Sequence, residues 1–357
     1  MSALVAWSAG RKSLGVLAEL GRTEDVMFSP NGHRLAVAGF QVNRIAVFSV
    51  RVEQREDEKA IRLTDVVEFE ALGLHGPHGL CFLDDDTLAV ANRNGLVEVF
   101  DVPPPSALLR HTLAARQTLG GAAAAKIDTP GSVAARPIDD RWVELLVCNN
   151  YANTVTRHML DRRNGFRVKS EQTLLADQLD TPDGICFSPD GRWIAVSNHN
   201  THSVLLYERG EHGHLNPRSL PDGKLRNVLC PHGVRFTGDM AHILVADAGA
   251  PFINVYDRDG PDWRGTRDPS RLFPAMDRAL FLKGQHNPQE GGPKGIDIDG
   301  QRKLLVSTCE TQTLAFFDMD KVLLQGEAPA NRRRRFLQWR IANALFNRVG
   351  LMVRRTL

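Results

Sequence analysis

The sequence predicts an all-β protein that folds as a closed six-bladed β-propeller, followed by a C-terminal amphipathic α-helix. Two observations predict this fold: a sequence pattern that recurs about every 50 residues, and four β-like runs in each recurrence. The 357 residues, 42% apolar and 24% charged, are enough to bury the cores that such an array requires. We expect the propeller to span residues 13–320 and a basic tail to span 321–357.

Six segments share an apolar strand, a turn often written Ser-Pro-Asp-Gly, and a strand that ends in a small residue. Four of them begin with Pro-x-Gly, and the position after the proline provides an anchor in each segment. Successive anchors lie 54, 53, 52, 49 and 62 residues apart, a period typical of propeller blades. The anchors are Glu24, His78, Gly131, Asp183, His232 and Lys294.

The two ends of the repeat array predict how the ring closes. Residues 13–20 read SLGVLAEL and precede the first anchor as a fourth strand would, whereas the last repeat ends without one. We therefore expect residues 13–20 to pair beside residues 314–317 and complete the sixth blade. The longest interval, between the fifth and sixth anchors, contains residues 260–292. This segment is rich in glycine, proline and charge, and we expect it to form a long loop over one face.

Charge and cysteine usage exclude several classes of protein. Positions 1–320 carry 35 basic and 41 acidic residues, so the body has no general basic surface for nucleic acid. The five cysteines have no CxxC spacing, which indicates free buried thiols in a reducing cytoplasm. We expect neither a membrane-spanning helix nor a cleaved secretion signal.

Equivalent positions of the innermost strands should form rings around the central channel. The first ring consists of the anchors. The second ring lies 14–18 residues further along each repeat, and we expect its polar members, together with the nearby His199, to contact a small-molecule substrate. Those members are Asn92, Asn149, Asn198 and Asp247.

Diametric pairing in a six-fold ring predicts a metal site on the axis. Glu24 faces Asp183, His78 faces His232, and Gly131 faces Lys294. Two imidazoles and two carboxylates favour zinc, manganese or iron over calcium. We expect Lys294 to stabilise developing negative charge or transfer a proton, and a carboxylate such as Asp183 to take part in proton handling.

The repeat consensus over residues 14–320 resembles the senescence marker protein/gluconolactonase/luciferin-regenerating enzyme group of six-bladed propellers. That group binds a divalent metal through Glu, Asn and Asp at the first, fourth and fifth anchors. These positions are Glu24, Asp183 and His232 here, so Glu24 alone has the residue type of the group. The resemblance implies a metal-dependent hydrolase that acts on a lactone or an ester-like small molecule.

Pro-His-Gly at His78 and His232 is similar to the NHL-type propeller of peptidylglycine amidating lyase, in which zinc-binding histidines follow proline at blade starts. This second resemblance implies a zinc-dependent lyase as an alternative. A non-catalytic binding or scaffold propeller is the alternative from another class, since the fold alone does not define a function.

The tail has the pattern of an amphipathic helix. Residues 331–355 carry eight arginines, and their apolar residues recur at spacings of three or four. We expect this helix to associate with an anionic membrane, with a partner protein, or with the acidic propeller itself. Membrane association would place a cytoplasmic protein at the inner membrane surface. The apolar residues are Leu337, Ile341, Leu345, Val349 and Met352.

Overall fold

The computed structural model describes residues 2–55, 58–120, 125–210, 215–287 and 289–326. These residues confirm the predicted fold, because six antiparallel sheets surround one axis. The first strand of each sheet contacts the first strand of the next, and the sixth contacts the first. The helix expected over 331–355 lies outside the described residues. No helix within the described ranges is long and apolar enough to cross a membrane.

Blades one to three are built mainly from consecutive antiparallel strands. Two further strands, β1 and β9, pair in parallel with the outer strand β5 of blade one. The strands are β1 (Ala6–Ala9), β2 (Thr23–Phe28), β3 (Arg34–Gly39), β4 (Arg44–Arg55), β5 (Glu58–Glu70), β6 (Pro77–Asp84), β7 (Thr87–Asn92), β8 (Val97–Asp101), β9 (Arg110–Thr112), β10 (Gln117–Leu119), β11 (Pro130–Pro137), β12 (Trp142–Asn149), β13 (Thr154–Asp161) and β14 (Arg167–Leu175).

Blades four to six follow the same plan. The outer strand of blade four gains a parallel partner, β22, from the insertion before the last anchor. The strands are β15 (Pro182–Phe187), β16 (Trp193–Asn198), β17 (Ser203–Glu208), β18 (Gly223–Leu225), β19 (Pro231–Phe236), β20 (His242–Asp247), β21 (Phe252–Asp257), β22 (Gly265–Arg267), β23 (Arg271–Pro274), β24 (Pro293–Asp299), β25 (Leu304–Cys309) and β26 (Ala315–Asp318).

Among the described residues, three α-helices lie outside the sheets, and two of them correct the sequence analysis. Residues 13–20 do not form a strand, because residues 13–19 belong to α1 (Arg11–Glu19) and Leu20 is its C-cap residue. The insertion over 260–292 is not simply a loop, because it contains β22, α2 and also β23, the outer strand of blade five. The helices are α1 (Arg11–Glu19), α2 (Arg278–Gly284) and α3 (Met319–Leu324).

The helical state of residues 13–20 has a local cause. Leucine, alanine and glutamate are good helix formers, and the buried positions recur at helical rather than at alternating spacing. Val16, Leu17 and Leu20 pack in the core between blades six and one. Ser13 is also buried.

The ring is closed by residues further towards the amino terminus. The Val5 amide donates to the Phe316 carbonyl over 2.8 Å, and the Asp318 amide donates to the Ala3 carbonyl over 2.8 Å. Leu4 forms an antiparallel bridge with Phe317. Residues 3–5 therefore take the place of the fourth strand of blade six, and β1 then joins blade one.

The hydrophobic core lies between the blades. The described residues form one apolar cluster at each of the six blade interfaces, and the closing segment and α1 contribute to the cluster between blades six and one. All five cysteines are free and buried, as predicted. The axis itself is therefore available for polar side chains.

A β-bulge follows the start of every first strand, at or just after the anchor. The glycine after the anchor permits close approach of neighbouring blades. A Cβ atom at Gly184 would lie 2.0 Å from the His232 carbonyl oxygen, and one at Gly295 would lie 2.6 Å from the Asp25 Cα atom. Glycine at these positions is thus required by space.

A buried ion-pair network lies one layer below the anchors. Arg235 Nε lies 2.8 Å from Asp297 Oδ1, and Asp297 Oδ2 accepts the Phe28 amide over 2.8 Å. Asp25 Oδ2 accepts the Leu80 amide over 2.9 Å. Burial raises the pKa of Asp25 to about 6, although the Arg235 charge opposes this shift. The network links the inner strands of blades five, six, one and two.

We expect Val5→Asp to destabilise the ring, because Val5 is buried in the closing seam. A carboxylate there should lower the free energy of unfolding by on the order of 3 kcal/mol. Leu4→Asp is the matched control, since its side chain is 58% exposed. Thermal unfolding of both variants tests the closure, and equal melting temperatures would contradict it.

Arg235→Met should lower the free energy of unfolding by about 3–5 kcal/mol, because two buried carboxylates lose their counter-charge. The loss should be smaller at pH 5 than at pH 8. The pKa of Asp25 is already raised on folding and rises further without Arg235, so the folded variant retains stability at low pH and loses it as the pH increases.

Denaturant unfolding at the two pH values measures this difference. Arg192→Met, at an arginine whose side chain is 63% exposed, serves as the control. A loss in Arg235→Met that is independent of pH, or no larger than in the control, would contradict the role of the network.

Candidate functional site: the channel mouth

The anchor side chains meet at one mouth of the central channel. Each anchor is the second residue of its first strand, as the repeat predicted, and the bulge directs these side chains towards the axis. The His78 and His232 rings are stacked with their centroids 6.2 Å apart. The five anchors with side chains are all buried: Glu24, His78, Asp183, His232 and Lys294.

The Lys294 ammonium is surrounded by carboxylates. Its Nζ lies 3.0 Å from Glu24 Oε1, 3.2 Å from Glu290 Oε2 and 3.6 Å from Glu310 Oε2. Burial alone would lower the pKa of Lys294, but the charges of Glu24 and Glu290 raise it. The surrounding carboxylates therefore favour the charged form of Lys294.

Glu24 is the main counter-ion of this lysine. Arg22 Nε also donates to Glu24 Oε1, and Glu24 Oε2 lies 3.6 Å from His78 Nε2. Burial favours the neutral acid, but the charges of Lys294, His78 and Arg22 lower the pKa of Glu24 to about 2. The Glu24 carboxylate is thus ionised and is held by two cations.

His78 uses both ring nitrogens within the protein. Nδ1 donates to the Gly131 carbonyl over 2.7 Å, and Nε2 accepts from Arg93 Nη2 over 2.7 Å. Burial, and then the Arg93 charge, lower the pKa of His78 to about 4. A neutral imidazole in this tautomer positions Arg93 and has no free nitrogen for a metal.

Asp183 lies at the centre of the opposite half of the mouth. Its Oδ1 accepts from Asn150 Nδ2 over 2.6 Å and from Arg93 Nη2 over 3.1 Å. Its Oδ2 lies 3.2 Å from His232 Nε2. Burial would raise the pKa of Asp183, but the charges of His232 and Arg93 hold it far below its usual range.

Asp183, His199 and His232 form a candidate metal site. One ligand atom from each of these buried residues lies within 4.8 Å of the others. Burial and the neighbouring His232 lower the pKa of His199, so its imidazole is neutral. His199 Nδ1 is buried and has no hydrogen-bond partner, which leaves its lone pair or its proton unsatisfied.

The structure groups the expected metal ligands differently from the sequence analysis. Asp183 and His232 are retained in the triad. Glu24 is engaged by Lys294 and Arg22, and His78 is engaged by Gly131 and Arg93, so neither joins it. His199, expected to contact substrate, supplies the third candidate ligand instead.

Glu290 approaches the mouth from the insertion. Its Oε1 lies 3.2 Å from His232 Nε2 and 3.8 Å from His199 Nε2. Its Oε2 contacts Lys294 Nζ and accepts from Asn287 Nδ2 over 3.3 Å. Burial would raise the pKa of Glu290, but His232 and Lys294 hold it far below its usual range. Burial lowers the pKa of His232, but the charges of Asp183 and Glu290 raise it above its usual value.

The second predicted ring does not reach the channel mouth in the expected way. The four side chains instead hydrogen-bond to the loop that precedes the first strand of their own blade. Asn92 accepts from the His75 amide, Asn149 from Asp128, Asn198 from Asp180, and Asp247 from Leu229 and Cys230. This pattern indicates that they fix the loops that position the anchors.

The residues that reach the mouth lie one position later. Successive side chains of a strand point to opposite sides, so an error of one residue replaces one ring by another. Each of these residues directly follows a residue of the second predicted ring: Arg93 follows Asn92, Asn150 follows Asn149, and His199 follows Asn198. A ring drawn one residue later in each repeat would therefore have identified them from the sequence. Arg22, Glu290 and Glu310 lie outside the anchor pattern, and no motif marks them.

A cavity opens beside the lysine side of the mouth. Its volume is about 550 Å³, which is in the range of small-molecule sites. Arg22 and Glu310 line it and also contact Glu24 and Lys294, respectively. The cavity therefore lies next to residues that contact Glu24 and Lys294, and its lining also includes Leu17 and Ala18 of α1.

One comparison with a solved structure supports the fold, and none of the comparisons assigns a function. A solved structure of a functionally unknown protein from Desulfotomaculum acetoxidans DSM 771 is similar, with a TM-score of 0.52 at 14% identity over 84% of this chain and 83% of that chain. A chain of a mitotic checkpoint complex structure matches with a TM-score of 0.49 at 12% identity over 84% and 77%. No protein-family model and no curated protein matches the chain. The fold and the mouth define a six-bladed propeller with a candidate metal site.

We expect Asn198→Ala to lower the free energy of unfolding by about 1–3 kcal/mol, because the partly buried amide of Asp180 loses its acceptor. The same variant should weaken metal binding at the mouth much less than His199→Ala does. Asn200→Ala, at a neighbouring exposed position, is the control. Thermal unfolding and metal titration separate the roles. Unchanged stability with lost binding would assign Asn198 to the site instead.

Proposed function

We propose that this protein is a metal-dependent hydrolase that acts on a lactone or an ester-like small molecule at the channel mouth. The observation that carries the proposal is the cluster of Asp183, His199 and His232, three buried ligand groups that converge on one point of the axis. The resemblance of the repeats to lactone-hydrolysing propellers agrees with this reading.

The donor set fits a divalent transition metal. Two imidazoles and one carboxylate are typical of sites for zinc, manganese or iron, whereas calcium prefers oxygen ligands alone. Ligands about 2 Å from a tetrahedral metal lie about 3.3 Å apart, so separations within 4.8 Å require only small side-chain movements. The neutral His199 and its unpartnered Nδ1 suit a ligand role.

A bound divalent ion would polarise a carbonyl and lower the pKa of a water molecule at this site. The protein groups around it have separate tasks. Asp183 is oriented by Asn150 and Arg93 and serves as a ligand rather than as a free base. Lys294, whose charged form the surrounding carboxylates favour, stabilises negative charge on the substrate oxygen. The adjoining cavity accommodates the body of the substrate.

Hydrolysis adds water across the acyl–oxygen bond. A lactone then yields one hydroxy acid, and an ester yields an acid and an alcohol. Both reactions convert a neutral carbonyl group into a carboxylate. A mouth that contains the Lys294 ammonium is suited to the charge that develops along this path.

A non-catalytic binding propeller is the second candidate. The observation that favours it is the internal pairing of the charges, since Lys294, Arg22 and Arg93 each contact a carboxylate of the mouth. Such a network could hold a ligand without performing chemistry on it. Turnover, measured separately from metal content, distinguishes the two candidates.

We expect protein purified without a histidine tag or chelator to contain about one equivalent of zinc, manganese or iron, as measured by inductively coupled plasma mass spectrometry. The double variant His199→Ala/His232→Ala should lose the metal and the hydrolysis of a lactone and aryl-ester panel. His78→Ala is the matched control for metal content, since it removes a third histidine of the mouth that is not in the triad.

The absence of a stoichiometric metal in the wild-type protein, or its retention in the double variant, would contradict the metal site. A metal-containing wild type with no turnover on any member of the panel would favour the binding propeller. Loss of metal in His78→Ala alone would restore the ligand set that the sequence predicted.

A further inference from the structure

Glu290 is the carboxylate of the mouth that does not belong to the repeat. It lies in the insertion, three residues before β24 begins at Pro293. Its side chain is 15% exposed, and it reaches both halves of the site. We propose that Glu290 occupies the position of a carboxylate or ester group of the natural ligand, so that this ligand is a small carboxylic acid or its lactone or ester.

The contacts of Glu290 define a two-sided oxyanion position. One carboxylate oxygen lies 3.2 Å from His232 Nε2 and 3.8 Å from His199 Nε2, on the side of the metal triad. The other lies 3.2 Å from Lys294 Nζ, on the side of the cavity. A planar group with two oxygens fits between the triad and the lysine, and a carboxyl or ester group has this shape.

The charges around Glu290 favour an anion at this position. Without Glu290, Lys294 keeps Glu24 and Glu310, but both of these carboxylates are shared with Arg22. His232 keeps Asp183, which is shared with Arg93. Vacating the position therefore removes a carboxylate that contacts both Lys294 and His232, and an incoming carboxylate would restore both contacts.

The neighbouring cavity offers space for the rest of the ligand. Arg22, Glu310 and His286 line it, and Arg22 and Glu310 lie next to Lys294 or to its counter-ion Glu24. The head group of a ligand whose body lies in the cavity would extend past Glu310 to reach Lys294. The identity of that head group rests on the proposed function. In the proposed hydrolysis it is the acyl group of the substrate or the carboxylate of the product.

The test uses acetate as the probe and metal-free protein, so that its outcome does not depend on the metal. In Glu290→Ala the position is open, and acetate should bind and raise the melting temperature. Glu290→Gln, a nearly isosteric neutral residue that still fills the position, is the matched control variant. Acetamide, a neutral analogue of similar shape, is the control probe.

We expect acetate to bind Glu290→Ala about tenfold or more tightly than it binds the wild-type protein or Glu290→Gln. A side chain that fills the position competes with acetate, so the apparent affinity falls in proportion to the fraction of time that the position is open. Isothermal titration calorimetry measures the affinities. Adding Lys294→Met to Glu290→Ala should remove the gain. Should the alanine variant not fold, Glu290→Ser provides the same opening.

Equal acetate affinity in Glu290→Ala and the wild-type protein, or binding of acetamide as tight as that of acetate, would overturn the inference. The metal content of each protein is measured as purified, before the metal is removed for the titration. A Glu290→Ala protein that is purified with its metal but does not bind acetate after metal removal would refute only this inference. A wild-type protein purified without a metal, together with a Glu290→Ala variant that binds acetate, would refute only the metal-dependent hydrolase.

Discussion

The close approach of six inner strands at their first residues is the constraint on which the rest of the structure depends. Bulges at the strand starts, with glycine after most of the anchors, allow the blades to meet with backbone almost against backbone. This contact fixes the anchor side chains on the axis within reach of one another. A propeller with bulkier residues there would be wider, and ion pairs such as Lys294 to Glu24 would not form.

The charged mouth is also a consequence of that narrow geometry. Buried charges are stable only when they are paired and hydrogen-bonded, and nearly every cation at this mouth contacts a carboxylate from a different blade or from the insertion. The same interactions that support ligand binding therefore hold the blades in register. Function and ring geometry share residues, so a change at one position affects both.

The sequence was sufficient to predict the fold and the first ring. Pro-x-Gly recurs at blade intervals, and the geometric demand for glycine next to the anchor explains why the motif marks the axis. The residues that contact the anchors, His199, Arg93 and Asn150, each lie one position after a second-ring residue, so they were placed beside the site or missed. A repeat alignment locates a strand, but the side that each residue faces depends on where its bulge falls.

Other parts of the site were beyond the reach of a repeat argument. Glu290 and Arg22 have no equivalents in the other blades, and their positions depend on how an insertion and a loop pack over the mouth. The segment 13–20 was misassigned for a related reason. Its apolar residues satisfy both a strand and a helix, and its helix-forming residues together with its packing against the seam favour the helix.

The pairing of residues 3–5 with β26 has a consequence for how the chain folds. These partners are separated by more than 300 positions, so the seam joins the most distant parts of the propeller. Blades one to five can form from local hairpins, whereas the seam must wait until β26 is in place. Until then, the apolar surfaces of blades one and six lack their covering, and the unclosed ring is the species most prone to self-association.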